Sequence, residues 1–256
     1  MANYHLEIKN ISRGKGRTIT KAAHYISGEK LHDYYNDKTY YHKRQDVLYR
    51  DVFLPENAPP DFHNLQNLCV EIDKAEKRYD ARTAREFIGS LPNELPAHEL
   101  IQIVKEYVSD NFVKHGLCAI AAIHEGKNEK EPAKNNPHAH ILVSTRTIGA
   151  DGFNRKKDQE RNNRKYIDIW REDWAKVQNR AYERNGYDIH VTHESLEVQE
   201  LYNREPTIHL SCIDWQKEKK GERTIAGNRK RAIRKHNEER EQHNHSVREY
   251  VYELSR

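Results

Sequence analysis

The chain has 256 residues, 36% of them hydrophobic and 33% charged, with a formal net charge of +4. That length can bury a core as one large domain or as a domain with an appendage, while so polar a composition excludes a chain built of membrane spans. No apolar run approaches the roughly 20 residues that cross a bilayer, and Met1 is followed at once by a short alternating strand instead of a signal peptide, so a cytoplasmic protein with no membrane partner is expected. Cys69, Cys118 and Cys212 are few and widely separated, without a CxxC pair, and each reads as a small buried hydrophobe in a reducing compartment.

In chain order, strand-like alternation is expected at Tyr4 to Ile11, Val47 to Leu54, Arg85 to Leu91, Leu117 to His124 and His138 to Thr145. A short helix from Thr18 to Ser27, closed by Gly28, precedes an aromatic loop with Tyr34, Tyr35, Tyr40 and Tyr41. Asp61 to Tyr79 and His98 to His115 carry one apolar face each at helical spacing. Tyr166 to Asn185 repeats the pattern with Trp170, Trp174, Val177 and Ala181 and stops at Gly186, and its Trp stripe reads as core packing, not a base-stacking platform. Strands and helices do not alternate regularly, which predicts an α+β fold: a central five-stranded antiparallel sheet flanked by helices. The sequence divides into a domain over residues 1–215 and a basic extension over 216–256, where 12 Lys or Arg stand against 7 Asp or Glu. That extension is expected to be partly helical and weakly packed, or to lead into a further domain.

Among the 16 histidines, His138 and His140 stand apart, because Asn136-Pro137 places them directly after a turn at the start of a strand. Side chains at i and i+2 of a strand share a face, so these two imidazoles can hold one metal ion. His124 ends the preceding apolar run, and Glu125 to Pro137 reads as the connection of an antiparallel pair, which lets three imidazoles converge. Three protein ligands leave coordination positions open, as in catalytic sites; a closed structural zinc site would need a fourth Cys or His, and none is near in sequence. The similarly spaced His243 and His245 lie in a polar tail and read as solvated surface.

The stretches Ala22-Ala23-His24-Tyr25-Ile26-Ser27-Gly28, Leu54-Pro55-Glu56-Asn57-Ala58-Pro59, Ala84-Arg85-Glu86-Phe87 with Leu91-Pro92-Asn93-Glu94-Leu95, Ala122-Ile123-His124, Asn136-Pro137-His138-Ala139-His140-Ile141-Leu142 and Glu205-Pro206-Thr207-Ile208-His209-Leu210 occur in this order. Together they resemble the relaxase domain of the MobA/MobL mobilisation proteins, over about residues 2 to 212. The resemblance implies the fold of HUH endonucleases and rolling-circle initiators, and an enzyme that nicks one DNA strand at a plasmid origin of transfer. It further implies Tyr25 as nucleophile, His124, His138 and His140 as ligands of Mn²⁺ or Mg²⁺, and Glu86 as an acidic helper that orients a ligand or takes the tyrosine proton. Nitrogen ligands suit Mn²⁺ better than Mg²⁺. Implied partners are single-stranded DNA, a hairpin at the origin, and conjugation coupling or accessory proteins. Two positions depart from the family's common pattern: Ile26, where Arg is usual, and Ile120, where Asp is usual.

Basic segments supply candidate phosphate contacts: Arg13, Lys15 and Arg17 before the helix of Tyr25, and Arg155, Lys156, Lys157, Arg161, Arg164 and Lys165 after the last strand. Tyr34, Tyr35, Tyr40 and Tyr41 either offer faces on which bases stack or close into an aromatic loop of their own. His24 reads as a surface or DNA-contacting residue. A rolling-circle replication initiator, a transposase, and a non-catalytic DNA-binding module with a structural metal are the competing readings.

Overall fold

A run with no polar residue before its last position, Leu117-Cys118-Ala119-Ile120-Ala121-Ala122-Ile123-His124, must be covered on both faces. In the computed structural model it is an inner strand of an antiparallel sheet, buried at every position. The structure describes residues 4–128, 131, 135–195, 198, 205–208 and 210–254. Their elements are β1 (Leu6–Ser12), α1 (Ile19–Ser27), β2 (Leu31–Asp33), β3 (Lys38–Tyr40), β4 (Val47–Phe53), α2 (Leu65–Ala75), β5 (Arg82–Ser90), α3 (Ala97–Asn111), β6 (Leu117–His124), β7 (His138–Gly149), β8 (Gly152–Phe153), α4 (Tyr166–Arg184), α5 (Cys212–Lys219) and α6 (Ile225–Leu254). No helix among the described residues is long and apolar enough to cross a membrane.

The sheet runs β1-β5-β7-β6-β4, every pair antiparallel, with the short β8 returning on β7. All five expected strands are present. The face carrying Ala84, Ile120, Ala122 and Leu142 packs under α1 and α2, and the face carrying Phe87, Ala119, Ala121, Ile123, Ile141 and Val143 packs under α3 and α4. Cys69 and Cys118 are free and buried, as expected; the side chain of Cys212, His209 and the side chains of His243 and His245 lie outside the described residues. The chain forms two compact units, residues 1–193 and 194–256. In the second, the Glu218 carboxylate joins α5 to α6 by accepting from Thr224 N (2.6 Å) and Arg231 Nη1 (2.5 Å).

The Trp stripe is core. Trp170 and Trp174 are 1% and 0% exposed, Trp170 standing edge-on to Phe87 at 5.1 Å and Trp174 edge-on to Tyr107 at 4.8 Å. Gly89 makes room for Trp174: a Cβ there would lie 2.5 Å from the indole.

Two helices are shorter than their apolar patterns. Pro59-Pro60 opens a separate 3-10 turn, and Asn64, extended at φ −75° and ψ 117°, caps α2 by accepting from Asn67 N at 3.1 Å. At the other end Arg13 takes over the helix carbonyls, donating to the backbone oxygens of Asp73 and Glu76 and pairing with the Asp73 carboxylate at 2.9 Å. Helix α3 stops at Asn111 and gives way to a 3-10 turn closed by Gly116 at φ 79°. The expected aromatic loop contains a hairpin, β2–β3, whose turn is organised by buried Asp33. Its carboxylate accepts from Tyr35 N, Asn36 N and Asn36 Nδ2, and also from Thr18 Oγ1 at 2.5 Å, the N-cap residue of α1.

Gly89→Ala is expected to destabilise the fold by about 1–3 kcal/mol through overpacking, read as a lower midpoint in chemical denaturation. Arg13→Ala leaves Asp73 and two helix carbonyls without their buried cation and should cost about 3–5 kcal/mol by the same measurement.

Candidate active site

The last turn of an α-helix leaves carbonyls without partners inside the helix. In α1 each of the final four is answered by a different group. His24 O accepts from Gly28 N at 2.9 Å, Tyr25 O from Arg44 Nη1 at 3.3 Å, Ile26 O from His124 Nε2 at 2.8 Å and Ser27 O from Arg50 Nη1 at 2.8 Å. The histidine closing β6 thus holds down the helix that carries Tyr25. Two arginines also place positive charge at the negative end of the helix dipole.

The sheet register does the rest. His124 lies directly opposite His138, and His140 opposite Ala122, so the three imidazoles share the face under α1. Their rings stand 4.7 to 5.3 Å apart, and one nitrogen from each can be chosen so that all three lie within 4.8 Å of one another. A carbonyl only accepts, so the bond from His124 Nε2 to Ile26 O fixes the proton on Nε2 and frees Nδ1. Likewise His138 Nδ1 donates to Asn136 O at 2.7 Å, which frees its Nε2. His140 Nδ1 faces Glu86 Oε1 at 3.4 Å, an ion-pair distance too long for a good hydrogen bond. The freed Nδ1 of His124 is buried and has no hydrogen-bond partner. A buried lone pair left open in this way beside two further imidazoles fits a bound cation. Burial lowers the pKa of His124 to about 4 and pushes that of His138 down as well, so both rings are neutral at pH 7, the protonation state a metal ligand requires.

Glu86, on β5, is buried beneath this cluster and pairs with Arg17 Nη2 at 2.5 Å. Burial alone would raise its pKa, but the His140 ring and the Arg17 guanidinium beside it outweigh burial and keep the carboxyl below its ordinary value. Tyr25 is 54% exposed, with its ring centroid 5.8 Å from that of His140 and 6.3 Å from that of His124. Arg44 covers it from outside, the guanidinium carbon 4.7 Å from the ring centroid. Asp46 grips Arg44 through two bonds of 2.8 and 2.5 Å, and the hydrogen bond from Arg44 lowers its pKa to about 2. Neither Arg44 nor Asp46 was singled out in the sequence; a lone Arg-x-Asp in a polar loop carries no recognisable signal.

The basic residues sort differently from their sequence clusters. Arg17 reaches the site through Glu86, whereas Arg13 is enclosed at the end of α2, with 4% of its side chain exposed and its guanidinium over Tyr35 at 4.5 Å. Lys157 pairs with buried Glu76 at 3.1 Å and donates to Arg82 O, and Arg161 pairs with Asp158 at 3.2 Å. These three cations are committed to the fold. Lys15, Arg155, Lys156, Arg164 and Lys165 are exposed. The segment with the last four is tied to Thr145 O by Asp158 N and Asn162 Nδ2, five residues along β7 from His140, roughly 17 Å at strand rise. It therefore flanks the far end of the sheet, not the imidazoles. Tyr34, Tyr35 and Tyr41 are exposed, and Tyr40 stacks on His24 with centroids 5.5 Å apart. His24 Nδ1 donates to Glu29 O at 2.7 Å, away from the imidazole cluster.

Comparison with known proteins places this arrangement. The family model of the MobA/MobL family matches residues 17–220. The "Probable mobilization protein MobA" of Bifidobacterium longum is 36% identical over 149 residues, 58% of this chain and 26% of that protein. "Mobilization protein MobL" of Acidithiobacillus ferridurans is 29% identical over 238 residues, 82% of this chain and 62% of that one. A structure solved in work on the molecular basis of vancomycin resistance transfer in Staphylococcus aureus is similar at a TM-score of 0.68 and 27% identity, covering 76% of this chain and 100% of its own. This chain spans about a quarter of the length of the Bifidobacterium protein. The matched residues take in Tyr25, Glu86 and the three clustered histidines together with all but the first strand of the sheet that aligns them, and the chain belongs to the MobA/MobL family.

Proposed function

We propose that this chain is a DNA relaxase domain that nicks one strand at a plasmid origin of transfer by tyrosine transesterification and later reseals it. The observation that carries the reading is the approach of one exposed phenol, Tyr25, to three imidazoles whose free nitrogens converge. Membership of a family whose relatives are named for mobilisation supports the origin of transfer over a replication origin or a transposon end.

In the proposed step Tyr25 Oη, on an exposed phenol, passes its proton to solvent water and attacks the scissile phosphorus. A Tyr25 O–P bond forms as the P–O3′ bond breaks, and the departing 3′ oxygen takes up a proton. One bond replaces another of the same kind, so the 5′-phosphotyrosyl linkage can be reversed by a 3′-hydroxyl to reseal the strand. His124, His138 and His140 would hold Mn²⁺ or Mg²⁺, which supplies positive charge to the phosphate oxygens. Glu86, with Oε1 3.4 Å from His140 Nδ1, faces the back of that ring, and Arg17 holds the Glu86 carboxylate in place, so that Glu86 would orient His140 as a ligand. Lys15, Arg155, Lys156, Arg164 and Lys165 are exposed cations that DNA phosphates would meet, the last four on the segment at the far end of the sheet. Single-stranded DNA and an adjoining hairpin are the proposed substrate, conjugation coupling or accessory proteins the proposed partners, the cytoplasm the proposed compartment, and residues 1–215 the proposed extent of the nicking domain.

Incubated with a labelled oligonucleotide from the cognate origin and Mn²⁺, the protein is expected to form a covalent adduct that resists denaturing gel electrophoresis and is absent in Tyr25→Phe. An undiminished adduct in that variant would remove Tyr25 from the role. Treatment with a chelator, or His138→Ala, should abolish the adduct while the thermal midpoint falls by only a few degrees, because sheet and helices are bonded independently of the ligand nitrogens. Global unfolding on metal removal would instead mark a structural ion.

A further inference from the structure

Tyr25 sits on the outer surface of α1 and more than half of it is exposed, yet its ring is held from two sides. The edges of His124 and His140 lie on one side and the Arg44 guanidinium covers another. Arg44 is itself fixed three times over. Asp46 takes Nε and Nη2, the Tyr25 carbonyl takes Nη1, and its backbone is pressed against the end of the helix, where a Cβ on Gly28 would meet Arg44 N at 3.0 Å. Gly28 has φ 68°, so the close approach and the left-handed helix end call for the same residue. Asp46 is anchored in turn, its own carbonyl accepting from Glu125 N at 2.9 Å, the residue after His124.

A surface arginine with five N–H donors and a long flexible stem is ordinarily free to sample solvent. Here it is clamped against the side chain and the backbone carbonyl of one residue. An exposed tyrosine on a helix otherwise exchanges between side-chain rotamers, which swing the hydroxyl by several ångströms. In-line attack does not tolerate such motion: a misplacement of about 1 Å can cost a factor near 10² in rate.

We propose that Arg44, locked by Asp46, is a positioning residue that holds the Tyr25 phenol over the imidazole cluster in its attacking orientation. The inference rests on the reading of Tyr25 as the nucleophile. It acts through Tyr25, so its effect belongs to the chemical step more than to DNA affinity.

The test uses the full chain carrying 3-fluorotyrosine at position 25, with Arg44 native, Arg44→Gln, Arg44→Lys or Asp46→Asn. Single-turnover adduct formation on the origin oligonucleotide is measured at saturating DNA, oligonucleotide affinity separately, and the fluorine resonance without DNA. Arg44→Gln is expected to slow adduct formation about 10²-fold with affinity changed less than about threefold, and to move or broaden the fluorine line. Asp46→Asn, which leaves the cation but frees it, should show the same direction with a smaller fall, as should Arg44→Lys. An unchanged rate and an unchanged fluorine line in Arg44→Gln would overturn the inference. So would a rate loss at subsaturating DNA that disappears at saturation, which assigns Arg44 to DNA affinity alone. If Tyr25→Phe keeps its adduct, the nucleophile assignment fails first; if that variant is inactive and Arg44→Gln is fully active, only the present inference fails.

Discussion

A helix end cannot be left bare beside a sheet, and in this protein that requirement builds the site. The final carbonyls of α1 must find donors, and they find them on Gly28, Arg44, Arg50 and His124. Because one donor is an imidazole of the three-histidine cluster, the placement of Tyr25 and the tautomer of His124 are settled by one hydrogen bond. Moving the helix would release the His124 proton from its partner; losing that bond would free both the ring and the helix. The proposed nucleophile and one proposed ligand are therefore mechanically coupled without touching through their reactive atoms.

The sheet supplies rigidity from below. With β6 buried at every position and covered by helices on both faces, the three imidazoles stand at the end of a fully enclosed strand and its neighbour. Close packing of Trp170, Trp174, Phe87 and Tyr107 fixes the opposite face, so strand register, which sets His124 against His138, cannot slip by one residue without turning apolar side chains to the wrong side. At the other end of the same sheet, buried Glu76 draws in Thr145, Arg146 and Lys157, and Arg13 closes α2. Much of the positive charge there is held in these contacts, and only the exposed part of it is free of them.

The residues nearest in sequence to the proposed chemistry were thus not always those nearest in space. Arg13, Lys157 and Arg161 look like their neighbours Lys15, Lys156 and Arg164 in a linear reading, since each is one cation among several. Burial separates them: a guanidinium with 4% of its side chain exposed and four protein oxygens as partners has been withdrawn from solvent, whereas a lysine in a turn has not.

Periodicity in the sequence determined the five long strands, the four helices around them, the Trp-lined core and the pair His138 and His140, because two-residue and 3.6-residue repeats are local consequences of backbone geometry. It also placed His124 at the end of a strand, and hairpin connectivity brought it opposite His138. The tertiary structure alone decided what depends on contacts between distant segments. Such contacts are the β2–β3 hairpin organised by Asp33, the seat of Glu86 between Arg17 and His140, and the Arg44–Asp46 clamp on Tyr25. None of these leaves a repeat or a spacing in the chain, since a buried ion pair such as Arg17–Glu86 joins residues 69 positions apart as readily as adjacent ones.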